Sequence, residues 1–250
     1  MTSHKLVVAH AGGASAAPPN TLEAFETAIR LGADMIEFDV RRTADGELVL
    51  YHDEAIGDRP LATLTYAEAL RDVSQRGYPI PRFVELLDAA QGRVLLDIEL
   101  KEAGYEARLL SLVFDRGFGV ADFVVTSFEP GALAQVKRAR PDVRTGLLAY
   151  DVTGRRALEL FRESGADFLG PDYQILDATV LREAEAARAR LLPWTVNDPP
   201  AIGLLLDAPA VMGVITDQTA DALRIRGAKT GPASASGSET SQQGQMRHGE

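Results

Sequence analysis

The stretch Met35-Ile-Glu-Phe-Asp-Val40 decides how the rest of the chain is read. It alternates apolar and acidic residues, and the Glu-x-Asp spacing puts both carboxylates on one face of an extended strand. Packing does not explain them, because a buried carboxylate costs several kcal/mol unless a cation or hydrogen-bond donors compensate it. The same pattern of polar residues at the ends of apolar runs recurs at His10 in LVVAHAGG, at His52-Asp53 in LVLYHDE and at Glu99 in VLLDIELK. Three carboxylates and two histidines at strand ends point to a divalent cation beside acid/base groups.

Working outward, eight apolar, β-rich runs are expected to be strands: Leu6 to His10, Met35 to Val40, Val94 to Leu100, Phe123 to Ser127, Val143 to Leu148, Asp167 to Gly170, Leu191 to Val196 and Val211 to Thr216. Amphipathic segments lie between them. Thr21 to Leu31, with Leu22, Phe25, Ala28 and Ile29 spaced by three and four, and Phe83 to Ala90 read as helices. Repeated strand-then-helix units, with no Gly-rich dinucleotide turn, predict an α/β fold of the closed parallel (β/α)₈ TIM-barrel type. Barrel enzymes place catalytic groups at the C-terminal strand ends, where these acids and histidines fall. Asp45-Gly46 is a turn signal, so Glu47 to Tyr51 is expected to be an extra strand that returns His52 toward Glu37 and Asp39. Residues 54–81, polar and punctuated by proline with a helical piece at Tyr66 to Val73, read as a short insertion at the mouth. One barrel domain is expected over residues 1–226. Residues 227–250, rich in Gly, Ser and Gln, are expected to be a disordered tail because they cannot offset their ordering entropy.

Composition narrows the function classes. With 250 residues and 46% hydrophobic content, one large core is affordable, and the net charge of −10 argues against a nucleic-acid surface. The chain has no cysteine, so disulfides, a thiol nucleophile and thiolate metal sites are excluded. Any metal is then held by oxygen and nitrogen donors, which suits Mg²⁺ or Ca²⁺. No stretch is long enough to span a bilayer, and the apolar run near the start is too short for a signal-peptide core, so a cytoplasmic protein is expected. The oligomeric state is not legible.

The motifs His10-Ala11-Gly12, Pro18-Pro19-Asn20-Thr21, Glu37-Phe38-Asp39, Asp45-Gly46 and His52-Asp53 stand in an ordered series. They are followed by Ile98-Glu99-Leu100-Lys101, Ser127-Phe128, Trp194-Thr195-Val196-Asn197 and Gly213-Val214-Ile215-Thr216-Asp217. In this order and spacing the chain, from Leu6 to about Leu223, resembles the glycerophosphodiester phosphodiesterases. The resemblance implies a TIM barrel, one divalent cation, and hydrolysis of a small phosphodiester to an alcohol and a phosphomonoester. It implies a route in which the substrate's own neighbouring hydroxyl attacks first and water then opens a cyclic phosphate. Two positions depart from the family pattern: Ala11 replaces an arginine and Pro19 a glutamate. The resemblance assigns that arginine to the substrate phosphate. Losing both together avoids stranding a buried charge if the two pair with each other.

Each candidate residue has a plainer alternative. Glu37, Asp39 and Glu99 read as oxygen ligands to the cation, or else as strand-end salt bridges to Lys101, Arg41 or Arg42. His10 and His52 read as general base and general acid, because imidazole titrates near neutral pH; a structural role or metal ligation is the alternative. Lys101, on the face of Glu99, reads as a phosphate contact or a solvent-facing lysine. The backbone of His10 to Ser15 can contact an anion, or Gly12-Gly13 can simply turn. Asn20 reads mainly as the cap of the helix starting near Thr21, with a place facing the site as the alternative. Trp194 reads as a rim residue against substrate or as a core aromatic, and Asp53 as the partner that orients His52. Two other functions stay open on this scaffold: a lyase that stops at the cyclic phosphate, and a non-catalytic phosphate-ester binder.

Overall fold

In a computed structural model of the chain, residues 4–13, 17–74, 77 and 79–230 are described. The elements in order are β1 (Leu6–Ala9), α1 (Leu22–Leu31), β2 (Met35–Arg42), β3 (Leu48–Leu50), β4 (Ala55–Ile56), β5 (Arg59–Pro60), α2 (Tyr66–Ser74) and α3 (Phe83–Ala90). Then come β6 (Leu95–Leu100), α4 (Glu106–Asp115), β7 (Phe123–Ser127), α5 (Pro130–Ala139), β8 (Thr145–Ala149) and α6 (Gly154–Ser164). The chain continues through β9 (Phe168–Pro171), α7 (Ala178–Ala186), α8 (Pro199–Asp207), β10 (Gly213–Thr216) and α9 (Thr219–Thr230). Seven of the strands form one parallel sheet in the order β10, β1, β2, β6, β7, β8, β9, with β3 antiparallel on the end of β2.

The eighth barrel position, expected at Leu191 to Val196, is not a regular strand. Leu191 bridges in parallel to Leu169 and to Val211, and Trp194 bridges to Asp172. Main-chain hydrogen bonds from Leu192 to Leu169, from Leu191 to Ala210 and from Val196 to Ile215 join β9 to β10 through this segment. Pro193 has no N–H to donate, which breaks the ladder in its middle. The ring is therefore closed by side-by-side pairing at every position, seven regular and one interrupted, and the fold is a TIM barrel.

Two layers of core follow from strand alternation. Outward-facing residues such as Phe38, Ile98 and Val125 pack under the helices, and Leu6, Val8, Met35, Val124, Phe168, Leu192, Met212 and Ile215 fill the interior. Gly146 has no side chain because a Cβ there would lie 2.3 Å from the Phe168 ring. In α1, Thr21 Oγ1 accepts from Ala24 N and Gly32, at φ +86°, ends the helix. Ala24, Phe25 and Ala28 are buried, whereas Leu22, expected on the apolar face, is 38% exposed. The extra strand forms as expected. The insertion carries β4, β5 and α2, and its Ile56, Leu61, Leu64, Ala69, Val73 and Ile80 pack against Val49 and Tyr51 at the end of β3 in a small separate core. The helix α9 runs to Thr230, past the Gly227 boundary set for the tail; the remainder of that tail, and Ser15 of the first loop, lie outside the described residues. Among the described residues, no helix is long and apolar enough to cross a membrane.

Candidate active site

Strand register builds the centre of the site. The pairing of β2 with β6 sets Glu37 beside Asp97 and Asp39 beside Glu99, so four carboxylates form a two-by-two array inside the barrel. All four are buried. One oxygen each from Glu37, Asp39 and Glu99 lies within 4.8 Å of the others. Lys101, just past the end of β6, places Nζ 2.6 Å from Glu99 Oε1 and 3.2 Å from Asp39 Oδ1. The lysine thus sits on the acids themselves. Arg41 and Arg42 do not: Arg41 pairs with Glu102 at 2.8 Å and donates to the His52 carbonyl, and Arg42 donates to the Gly104 carbonyl.

The first loop closes over this array. After β1 the chain turns at once through Ala11, Gly12 and Gly13, all at positive φ. Gly12 is required there, since a Cβ would meet Ala24 Cβ at 2.7 Å. The turn aims Ala11 N–H at Glu37 Oε2, 2.9 Å away. Asn20 does not cap α1, because Thr21 does. Its Nδ2 donates to Asp39 Oδ2 at 2.7 Å and its Oδ1 accepts from Asp39 N at 3.1 Å, so it holds the acid in place.

The two histidines flank the array from different elements. His10 Nδ1 is 2.8 Å from Asp217 Oδ1, and its Nε2 is 4.0 Å from Glu37 Oε2. Asn197 donates to the other oxygen of Asp217 at 2.7 Å and accepts from its backbone N–H. His52 is brought over the mouth by β3: Tyr51 N donates to the Asp39 carbonyl, and His52 Nδ1 lies 2.9 Å from Asp53 Oδ1. Both imidazoles, the four acids and Lys101 line one cavity of about 120 Å³, whose other wall is Trp194, Phe128 and Leu148. Trp194 meets Phe128 edge to face at 5.6 Å and donates its indole N–H to the Gly170 carbonyl.

Sequence reasoning missed Asp97, Asp217, Asn197 and Phe128 as site members. Asp97 repeats in Asp97-x-Glu99 the spacing of Glu37-x-Asp39, and that signal was available. Asp217 and Asn197 stand in the later motifs, but Asp217 finds its purpose in His10, 207 residues away, and Asn197 in Asp217.

The electrostatics are those of too much negative charge for one lysine. Burial pushes Glu37 and Glu99 up to about 8, with the Asp39 charge adding to both. Burial likewise lifts Asp97 to about 7 against its hydrogen bond from Thr126. Asp39 goes the other way: burial opposes its ionisation, but Lys101 and the Asn20 hydrogen bond hold it below its ordinary value. For His10, burial disfavours the charged form, yet the Asp217 hydrogen bond and the Glu37, Asp217 and Asp39 charges outweigh it and raise it to about 9. Asp97 Oδ2 is buried without a hydrogen-bond partner. An oxygen-only donor set with surplus buried charge fits a hard divalent cation.

The glycerophosphoryl diester phosphodiesterase family model matches residues 10–221. The chain belongs to that family. A glycerophosphodiester phosphodiesterase of Bacillus altitudinis is 31% identical over 242 residues, spanning 88% of this chain and 97% of that one. Another, from Caldanaerobacter subterraneus subsp. tengcongensis, is 29% identical over 230 residues, spanning 85% and 93%. The crystal structure of a glycerophosphodiester phosphodiesterase from Parabacteroides distasonis superposes with a TM-score of 0.77 at 24% identity, covering 91% of this chain and 100% of that chain. The family's barrel is the fold observed here.

Proposed function

We propose that this chain is a metal-dependent phosphodiesterase that hydrolyses a small glycerophosphodiester to an alcohol and a phosphomonoester. One observation carries the reading: the oxygens of Glu37, Asp39 and Glu99 converge within 4.8 Å in the cavity that His10 and His52 also line. Those three acids would hold one divalent cation, Mg²⁺ or Ca²⁺. Such an ion, when bound, neutralises phosphate charge and stabilises the charge that grows in the transition state.

The chain's own residues account for the proton transfers. Asp217 accepts from His10 Nδ1, which leaves Nε2 facing Glu37, and Asp53 accepts from His52 Nδ1. His10 and His52 therefore divide two tasks. One imidazole removes the proton of the attacking hydroxyl or water as the new P–O bond forms. The other protonates the departing ester oxygen as its P–O bond breaks. Lys101 serves a phosphate oxygen and Trp194 the organic part of the substrate. Neither role needs a residue outside the cavity. With this reading go a place in lipid breakdown and a cytoplasmic site of action, which cell fractionation tests.

Turnover and cation binding separate the roles. Glu37→Gln is expected to weaken cation affinity and activity together, on the order of 10- to 100-fold or more. His10→Ala is expected to lose at least about 10²- to 10⁴-fold in kcat with cation affinity by calorimetry nearly unchanged. Wild-type turnover in His10→Ala would refute the assignment. Phosphorus NMR of the products should show a phosphomonoester; an accumulating cyclic ester would make the protein a lyase.

A further inference from the structure

A second cavity of about 280 Å³ adjoins the acid-lined one, and the two share His10, Asp39 and His52. Ala11, Pro19, Leu50, Tyr51, Pro79 and Ile80 form most of its wall, and Asn20 and Asp53 complete the lining. None of the first six side chains carries a charge at neutral pH, and five of them have no polar side-chain atom. The polar groups of the lining are already paired with one another or with neighbours, the histidines through Nδ1. Asn20 and Asp39 satisfy each other through two hydrogen bonds, His10 holds Asp217 and His52 holds Asp53. A group bearing hydroxyls would leave them unpaired against most of this wall, which is costly, whereas an apolar group would gain by leaving water.

Resting on the phosphodiesterase reading above, we propose that this cavity binds the ester group of the substrate other than glycerol, and that it selects an uncharged, apolar alcohol. The glycerol end then lies in the acid-lined cavity, where carboxylates can accept from its hydroxyls. The phosphate sits between the two cavities, at the edge both histidines share. The main determinants are Ala11, whose single methyl leaves the space open, and Pro19 and Pro79, which form the exposed rim. A long or charged side chain at any of the three would fill or polarise the cavity.

The test compares glycerol phosphodiesters carrying methyl, n-butyl and choline groups, by kcat/KM. Calorimetry with the matching non-hydrolysable glycerol phosphonate esters reads binding alone. Three added methylenes are expected to raise kcat/KM and affinity at least about tenfold from methyl to butyl, with the choline ester below the butyl. Pro19→Phe and Pro79→Glu, two changes on the rim, should each remove most of that preference, read as the ratio of the butyl to the methyl kcat/KM. A flat profile from methyl to butyl, or a preference for choline, overturns the proposal. If no diester is hydrolysed but the butyl phosphonate still binds more tightly than the methyl, the cavity stands and the phosphodiesterase reading falls.

Discussion

His10 is a terminal group of the first strand, but its chemistry is set by a residue at the far end of the chain. Asp217 accepts from its Nδ1, and Asn197 fixes Asp217 by two hydrogen bonds. Removing the Asp217 charge and its hydrogen bond should let His10 fall from about 9 toward its ordinary value of 6.5. Asp217→Asn is therefore expected to lower kcat by about 10- to 100-fold and to move the His10 limb of the pH–rate profile to lower pH. A loss of activity with an unmoved limb would mean that Asp217 only supports the fold. His10, Glu37, Asp39, His52 and Glu99, which share one cavity, were legible as candidates because each interrupts or ends an apolar run. Asp217 was not, since it ends its strand in the same way but shows no purpose until β10 lies beside β1. Of the two readings of Asn20, cap or site-facing residue, the favoured cap fails because Thr21 takes that position, and the approach of Asp39 assigns Asn20 to the acid.

At the scale of elements, the site is a consequence of register. Shifting β6 by one residue against β2 would turn Asp97 and Glu99 outward and leave Glu37 and Asp39 without neighbours. Elsewhere in the barrel interior, β8 and β9 meet at Gly146 and Phe168. Gly146→Ala forces a methyl against the Phe168 ring, and this overpacking is expected to destabilise the protein by roughly 1 to 3 kcal/mol. Chemical denaturation checks it, and an unchanged midpoint would show that the ring moves freely. The strand and helix pattern was read correctly over most of the barrel, because alternation and the three-four spacing report directly on which face is buried. The segment Leu191 to Val196 was read as a strand for its composition, and Pro193 denied it the hydrogen bonds of one. Leu22 was assigned to the buried face by spacing alone, and the helix rotates it out because Ala24 must face Gly12.

For the whole molecule, the buried acids make stability depend on pH and on the cation. Glu37 and Glu99 are raised from 4.5 to about 8 and Asp97 from 3.8 to about 7. A group whose folded value lies above its unfolded value contributes stability that is complete below the unfolded value and is lost as pH rises through the folded one. His10, raised from 6.5 to about 9, has the same sign. In the presence of a chelator, Tm is thus expected to fall steadily between about pH 5 and pH 9. Saturating Mg²⁺ or Ca²⁺, which binds the ionised acids, should restore stability most at the alkaline end, by about 2.7 kcal/mol at a hundredfold excess over Kd. Thermal melts across that range decide it; a Tm independent of both pH and cation would contradict a metal site. By itself the sequence determined the barrel and singled out five residues that the fold brings to one cavity, because burial periodicity and misplaced charge are local patterns. Only the tertiary structure decided which acids stand side by side, that Lys101 lies among them, that Asp217 holds His10 and that a second cavity opens beside Ala11 and Pro19. Those are distances between strands far apart in the chain, and no local pattern encodes them.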